Sequence, residues 1–166
     1  MAGVDPNAFK AAAGSFGSGV TVVTAMEDGK VHGMTVSAFA SVSLDPTQIL
    51  VSLRTGSRVT GMINASGGFA VSVLREEQRE IASHFATSGL ELQDGSFPQF
   101  ASITAVTGAP IFEGSLAHFD CTVAHAFECG DHIIFVGDVV EAGSTDGEPL
   151  MYYKGGFRGI RDWAGG

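Results

Sequence analysis

Asp131-His132 stands at a turn between two apolar β-type runs. Histidine is the side chain that can gain or lose a proton near neutrality. A turn histidine bonded to its own aspartate braces the turn; one at a strand mouth can also take part in chemistry. A second group, Arg54, Thr55 and Ser57, opens a helical stretch. Ser57 suits an N-cap, and cationic, hydroxyl and backbone donors at a helix start favour a phosphate. The plainer reading is a cap beside a solvated arginine. A third group is the row Thr35, Ser37, Ser41 and Ser43, interleaved with Val36, Ala38, Ala40 and Val42. Alternate positions of one strand share a face. Such a row could bond a flat polar ligand without filling its space, or simply line a solvated sheet. His118, Cys121, His125, Cys129 and His132 are zinc-type residues, but positions four apart in a strand are about 13 Å apart. Ligands to one ion lie about 2.0–2.3 Å from it, so no metal site is expected. Cys121 and Cys129 sit in apolar β segments and read as packing residues. No Gly-x-Ser-x-Gly elbow marks a hydrolase nucleophile.

These groups must be positioned by mostly β elements. Residues 7–13 have helical composition between Pro6 and Gly14. Gly14, Gly17 and Gly19 then precede a β-branched strand at 20–24. No Lys-Ser/Thr follows them and no helix opens, so they read as turn and close-approach glycines rather than a phosphate loop. Glu27-Asp28-Gly29-Lys30 predicts a hairpin into a strand over 35–44. Asp45-Pro46 breaks it, and the nearly all-apolar 49–53 predicts a strand buried on both faces. A helix runs to residue 65, and a strand covers 69–74. An amphipathic helix spans 76–86, with Ile81, Ala82 and Phe85 opposite Glu77, Gln78 and Glu80. His84, near its end, reads as a surface or capping residue. Residues 87–107 form a loop with one short strand, the kind of segment that serves as a lid or binding loop. Strands at 115–129 and 132–142 join through Gly130-Asp131, and a last strand covers 150–154. Tyr152, Tyr153 and Phe157, beside Gly155-Gly156, could stack on a planar ring or close the core. Long strands, short turns and few helices predict a mainly β, closed or nearly closed antiparallel barrel.

Whole-chain totals narrow the function. At 166 residues and 45% apolar, with 23 glycines, one β-rich domain over 1–166 is expected. Nine Lys and Arg against 18 Asp and Glu give a net charge of −9, which argues against nucleic-acid and anionic-membrane surfaces. The N-terminus lacks a cationic, apolar leader pattern, and no apolar run of 18 residues is present, so a cytoplasmic protein is expected. Two cysteines are too few for a disulfide framework.

The run GMTVSAFASVSLDP (33–46), followed by an apolar strand and Ser57, resembles the signature of the short-chain flavin reductases. These are the reductase components of two-component flavin-dependent monooxygenases, built on the FMN-binding split barrel. The likeness continues in FGSGVTVVTA (16–25), GDHIIFVGDV (130–139) and PLMYYKGGFR (149–158), and so spans almost the whole chain. It implies an antiparallel Greek-key split barrel with a few short helices. It also implies NAD(P)H-dependent hydride transfer to FMN or FAD, with reduced flavin passed to a partner monooxygenase. The flavin-binding positions it implies are Thr35, Val36, Ser37, Ala38, Ser41, Ser52, Leu53, Arg54, Ser57, Ser83, His84 and Phe85. Those near the dinucleotide (NADH or NADPH) are Gly17, His132, Tyr152 and Phe157. His132 becomes the one catalytic side chain, orienting the nicotinamide carboxamide or assisting protonation near the reduced flavin. Small residues at Ser37, Ala38, Ala40 and Ser41 would let two rings approach, and backbone N–H groups at 36–38 could meet charge growing on the flavin. The resemblance further implies a two-fold homodimer with flavin at the junction, covering Phe39 and Phe135. A flavin carrier or sensor without turnover is the alternative. An oxidase of the pyridoxamine-phosphate type would need a basic pocket that nine scattered cations do not supply.

Overall fold

The computed structural model describes residues 3–163. Helix α1 (Pro6–Ala13) is capped by Asp5, whose carboxylate accepts from the amide of Ala8. The strands that follow are β1 (Ser18–Gly19), β2 (Thr21–Glu27), β3 (Lys30–Val36), β4 (Phe39–Leu44) and β5 (Thr47–Arg54). Helix α2 (Arg58–Ser66) leads to β6 (Gly68–Val73), and a 3-10 turn (Glu76–Gln78) opens α3 (Arg79–Phe85). Short strands β7 (Gln93–Asp94), β8 (Ser102–Thr104) and β9 (Pro110–Phe112) precede the long pair β10 (Ala117–Cys129) and β11 (His132–Ser144). The last strands are β12 (Leu150–Tyr153) and β13 (Gly156–Gly159). Among the described residues no helix is long and apolar enough to cross a membrane.

Eight strands form one antiparallel sheet in the order β4-β5-β11-β10-β6-β2-β3-β7. The connection from β3 to β4 explains its shape. Six strand spacings separate these two in the sheet, roughly 29 Å if it were flat. The chain joins Val36 to Phe39 through Ser37 and Ala38 alone, a reach of about 11 Å at most. The sheet therefore has to curl until its two sides meet, as a barrel does. Strands β1, β12 and β13 make a second, three-stranded sheet beside it.

The curled sheet encloses a core of Val23, Ala25, Ile49, Val51, Leu53, Phe69, Val71 and Phe135, plugged by Val59, Met62 and Ile63 of α2. A second core lies on the other side of β2, where Val20, Val22, Val31 and Leu74 meet Ala82, Phe85, Phe97, Phe112 and Leu150. Adjacent residues Val22 and Val23 serve different cores because successive strand side chains point to opposite faces.

The expected mainly β antiparallel architecture is what forms, with four local corrections. The strand expected over 35–44 is interrupted at Ser37-Ala38, and β4 carries an irregularity between Ser41 and Ser43. The barrel corner consumes two residues there, so the four hydroxyls do not share a face. The 49–53 strand is buried on one face only: Ile49, Val51 and Leu53 point into the core, while Leu50 and Ser52 stay half-covered. Phe135 is fully buried within its own subunit and needs no partner to cover it, while Phe39 packs on Phe119 with centroids 5.5 Å apart. Finally, residues 87–107 hold two short strands rather than one, and β13 extends the C-terminal hairpin.

Candidate active site

A cleft of about 490 Å³ opens where β3 leaves the barrel, between the end of α3 and strand β12. Its apolar lining is Val20, Met34, Phe85, Ala86, Tyr152 and Phe157; its polar lining is Thr35, Ser37, Arg54, Thr87 and Ser88. Phe85 is held by Phe97 at 4.8 Å and Phe112 at 5.2 Å between centroids, so this wall is rigid. Gly33 makes room for it: a Cβ there would stand 2.9 Å from two Phe85 ring carbons. Tyr152 and Phe157 face each other edge-on across β12 and β13, with centroids 5.7 Å apart.

Two hydroxyls expected to face a ligand are partly spent inside the protein. Thr35 Oγ1 donates to the carbonyl of Ala82 at 2.7 Å, tying β3 to α3 and leaving its lone pairs for a donor in the cleft. Ser57 caps α2, accepting from the Thr60 amide at 3.1 Å. Thr60 Oγ1 donates to the Arg54 carbonyl at 2.9 Å, so the 2.8 Å contact between the hydroxyls has Ser57 as donor. The Ser57 proton thus points inward. What the α2 start presents outward is its dipole, its first amides and the exposed guanidinium of Arg54. An anion is still the natural occupant of that end.

His132 pairs directly with Arg54 across β11 and β5, so both side chains leave the sheet on one face at the rim of the cleft. His132 Nδ1 lies 2.7 Å from Asp131 Oδ1. That hydrogen bond, then the histidine's charge and more weakly that of Arg54, holds the Asp131 carboxyl below its usual range. The brace and the rim position therefore coexist. Cys121 is the opposite case: burial first, then Asp120 and Asp138, push its thiol up to about 12, which keeps it un-ionised and inert.

The structure brings together at this cleft six of the residues singled out above: Thr35, Ser37, Arg54, Phe85, Tyr152 and Phe157. Ser57 and His132 stand at its Arg54 end. Val36 and Leu53 turn their side chains into the core and could offer only backbone groups. Ser52 is half-covered on β5, its amide donating to the Ala38 carbonyl. Ser41 lies away from the cleft, paired with Ile49 and lining a separate groove with Phe119 and Val139. Gly17 lines a separate hollow with Ser15, Met151 and Tyr153, on the face of β12 opposite Tyr152. Ser83 is exposed, and His84 is half-buried with its ring edge-on to Phe85 at 4.8 Å and Phe100 at 5.2 Å. His84 keeps its expected place in the last turn of α3, and its ring also packs behind the cleft wall. Sequence reasoning missed Val20, Met34, Ala86, Thr87 and Ser88. The reading of 87–107 as a lid or binding loop covered Thr87 and Ser88 as a segment without naming either, since a Thr-Ser-Gly run after a helix marks a turn but not which way it faces.

The zinc-type residues are dispersed. His118 pairs with Glu141 at 2.8 Å, Cys121 is buried, and His125 stacks on Phe127. Among the described residues no three His, Cys, Asp or Glu come together as a metal set.

The cleft therefore offers flat apolar walls, a few hydroxyls, one cation at a helix start and a histidine at the rim, with no paired acid and nucleophile. Its volume suits an organic cofactor, and its walls suit a planar ring with an anionic tail. Comparison with known proteins agrees. The chain is 39% identical over 160 residues to an NADH-dependent flavin reductase of Rhodococcus sp, covering 95% of this chain and 88% of that one. It is 36% identical over 163 residues to HsaB, the reductase subunit of a flavin-dependent monooxygenase of Mycobacterium tuberculosis, covering 95% and 83%. The fold superimposes with a TM-score of 0.87 on BorF, the flavin reductase component of a bacterial two-component tryptophan halogenase, at 38% identity over 94% of this chain and 98% of that one. The family model described as "Flavin reductase like domain" matches residues 13–161, and this chain belongs to that family.

Proposed function

We propose that this protein is an NADH-dependent flavin reductase that supplies reduced flavin to a separate flavin-dependent oxygenase. The observation that carries this is the make-up of the cleft: it is built to hold a flat ring and an anionic tail, with one histidine, His132, at its rim. Bound flavin would itself supply the hydride-accepting chemistry, so the protein has only to bind, stack and orient. Phe85, Tyr152 and Phe157 provide the walls, and Ser37, Thr87 and Ser88 provide hydroxyls along the rim. Thr35, with its proton committed to Ala82, accepts from a ring N–H. Arg54 and the α2 start hold the phosphate of FMN, or the first phosphate of FAD. His132, braced by Asp131, orients the carboxamide of the dinucleotide at the rim. A cytoplasmic setting, which keeps Cys121 and Cys129 reduced, suits this reading.

The same reading includes a homodimer. Its support is an exposed apolar patch along β4 and β11, where Leu44 is 92% exposed, with Val42 and Val140 also open to solvent. These residues adjoin a groove lined by Ile49, Phe119, Val139 and Ala142.

One assay tests the activity. Purified protein mixed with NADH and excess FMN is expected to oxidise NADH, followed at 340 nm, and His132→Ala is expected to slow turnover about 10- to 100-fold through lost orientation while leaving flavin affinity within about twofold. Flavin binding without NADH oxidation would make the protein a carrier. Equal loss of turnover and affinity in His132→Ala would make that histidine purely structural.

A further inference from the structure

The segment after α3 gives Ala86, Thr87 and Ser88 to the cleft and rejoins the sheet at β7. Between these points, among the described residues, hydrogen bonds from the body of the domain converge on one atom, the carbonyl oxygen of Leu90. Arg58 Nη1 donates to it at 2.9 Å, and His32 Nε2, 3.1 Å away, donates to it in the tautomer that carries the proton there, the ring's other nitrogen lying 2.9 Å from the Gly33 carbonyl. Arg58 also stands 3.5 Å from a carboxylate oxygen of Glu91. The Leu90 side chain packs against the second core. Gly89, at φ +81°, lets the chain reverse just before this anchor.

Arg58 is the first residue of α2, directly after the Ser57 cap and four residues beyond Arg54. One helix start thus serves both ends of the cleft. Its Arg54–Ser57 turn faces the anion-binding end, and its Arg58 holds Leu90, two residues beyond the wall at 86–88. From this convergence we propose that Arg58, assisted by His32, is a positioning residue for the reductase reaction: by fixing Leu90 it sets the wall against which substrate seats. The inference rests on the flavin reductase reading above.

The physical consequence is a population effect. An unlatched segment samples positions in which Thr87 and Ser88 no longer line the cleft, and affinity falls with the fraction of molecules that remain latched. Chemistry in a correctly seated complex is unchanged. Loss of the latch therefore raises KM and spares kcat.

The test uses Arg58→Met, which keeps most of the stem but removes the donors, alongside Arg58→Lys and Lys30→Gln. Lys30 pairs with Asp94 at the far root of the same segment and serves as the control. NADH oxidation with FMN is measured, together with amide hydrogen exchange of residues 86–92 and of α2. Arg58→Met is expected to raise KM for FMN roughly three- to tenfold with kcat within about twofold. Exchange over 86–92 should speed up while α2 keeps its protection. Arg58→Lys, which retains a cation and a donor, should recover at least half of the effect, and Lys30→Gln should leave both readouts near wild type. Unchanged KM and exchange in Arg58→Met would overturn the proposal. So would loss of α2 protection in step with the segment, no recovery by lysine, or an equal effect from Lys30→Gln. If the wild-type protein does not oxidise NADH, the reductase reading fails on its own, and the exchange measurements still decide whether the latch exists.

Discussion

At Gly33 the backbone of β3 passes so close to the Phe85 ring that one added methyl would collide with it. The ring has no retreat, since Phe97, Phe112 and His84 hold it from behind. Gly33→Ala therefore forces either β3 outward or the Phe85 edge into the cleft. Overpacking of this kind costs about 1–3 kcal/mol. The expected outcome is a lower melting temperature together with weaker FMN binding, read by thermal unfolding and by quenching of flavin fluorescence. Unchanged flavin affinity with lowered stability would mean that the wall yields without shaping the site. His132 shows a different relation between residue and role. Its type and its turn were legible in the sequence, and so was its bond to Asp131. Its place beside Arg54 was not, because a cross-strand neighbour depends on the register of β5 against β11 rather than on local order.

Helix α2 shows how an element can be read correctly and still mislead about one atom. The Ser57 cap follows from residue type alone, and the structure has it. The direction of its proton depends on Thr60 and on the Arg54 carbonyl, three residues ahead of it and three behind. Ser57→Ala is thus expected to cost about 1 kcal/mol through the lost cap, a fall of about 2–4 °C in melting temperature. It should also loosen the Arg54–Ser57 turn. Titration with FMN and riboflavin separates the two consequences: FMN should weaken more, since only FMN carries a phosphate for that turn to hold. Identical losses would place the phosphate elsewhere. The same division runs through the other elements. The long strands β10 and β11 were recoverable because apolar residues and one tight turn bound them. The hydroxyl row was not, because a corner at Ser37-Ala38 turns the chain and sends Thr35 to the cleft and Ser41 to a separate groove. Thr87 and Ser88 lay in a segment legible as a lid or binding loop, but nothing local tells a loop which surface it lines.

The curl of the sheet leaves β4 as one of its two outermost strands, and it is an unusual one. Edge strands are commonly protected by charge, proline or a bulge. β4 has a register shift between Ser41 and Ser43 that guards its backbone edge, but it reads FASVSL, with no charged side chain, and ends in the almost fully exposed Leu44. The adjoining groove is walled by Phe119, Val139, Val140 and Ala142, which continues the apolar surface from that leucine. An exposed apolar patch beside such an edge suits side-chain packing across a two-fold axis, where each copy covers the other's patch. The net charge of −9 keeps separate molecules apart elsewhere on the surface, so association should concentrate at this face. Sedimentation should therefore give twice the 17.1 kDa chain mass. Leu44→Arg adds a charge to each copy at the centre of the face, where the two would meet in the dimer. It is expected to shift the equilibrium to monomer at micromolar concentration, with little change in the melting temperature of the isolated fold because Leu44 packs against nothing within it. A wild-type monomer, or a Leu44→Arg protein that still sediments as a dimer, would put the contact elsewhere. Flavin titration of the monomeric variant then asks whether the cleft is complete in one chain. Unchanged affinity would assign the whole flavin site to residues of a single subunit, and a loss of tenfold or more would mean that the second copy supplies part of it.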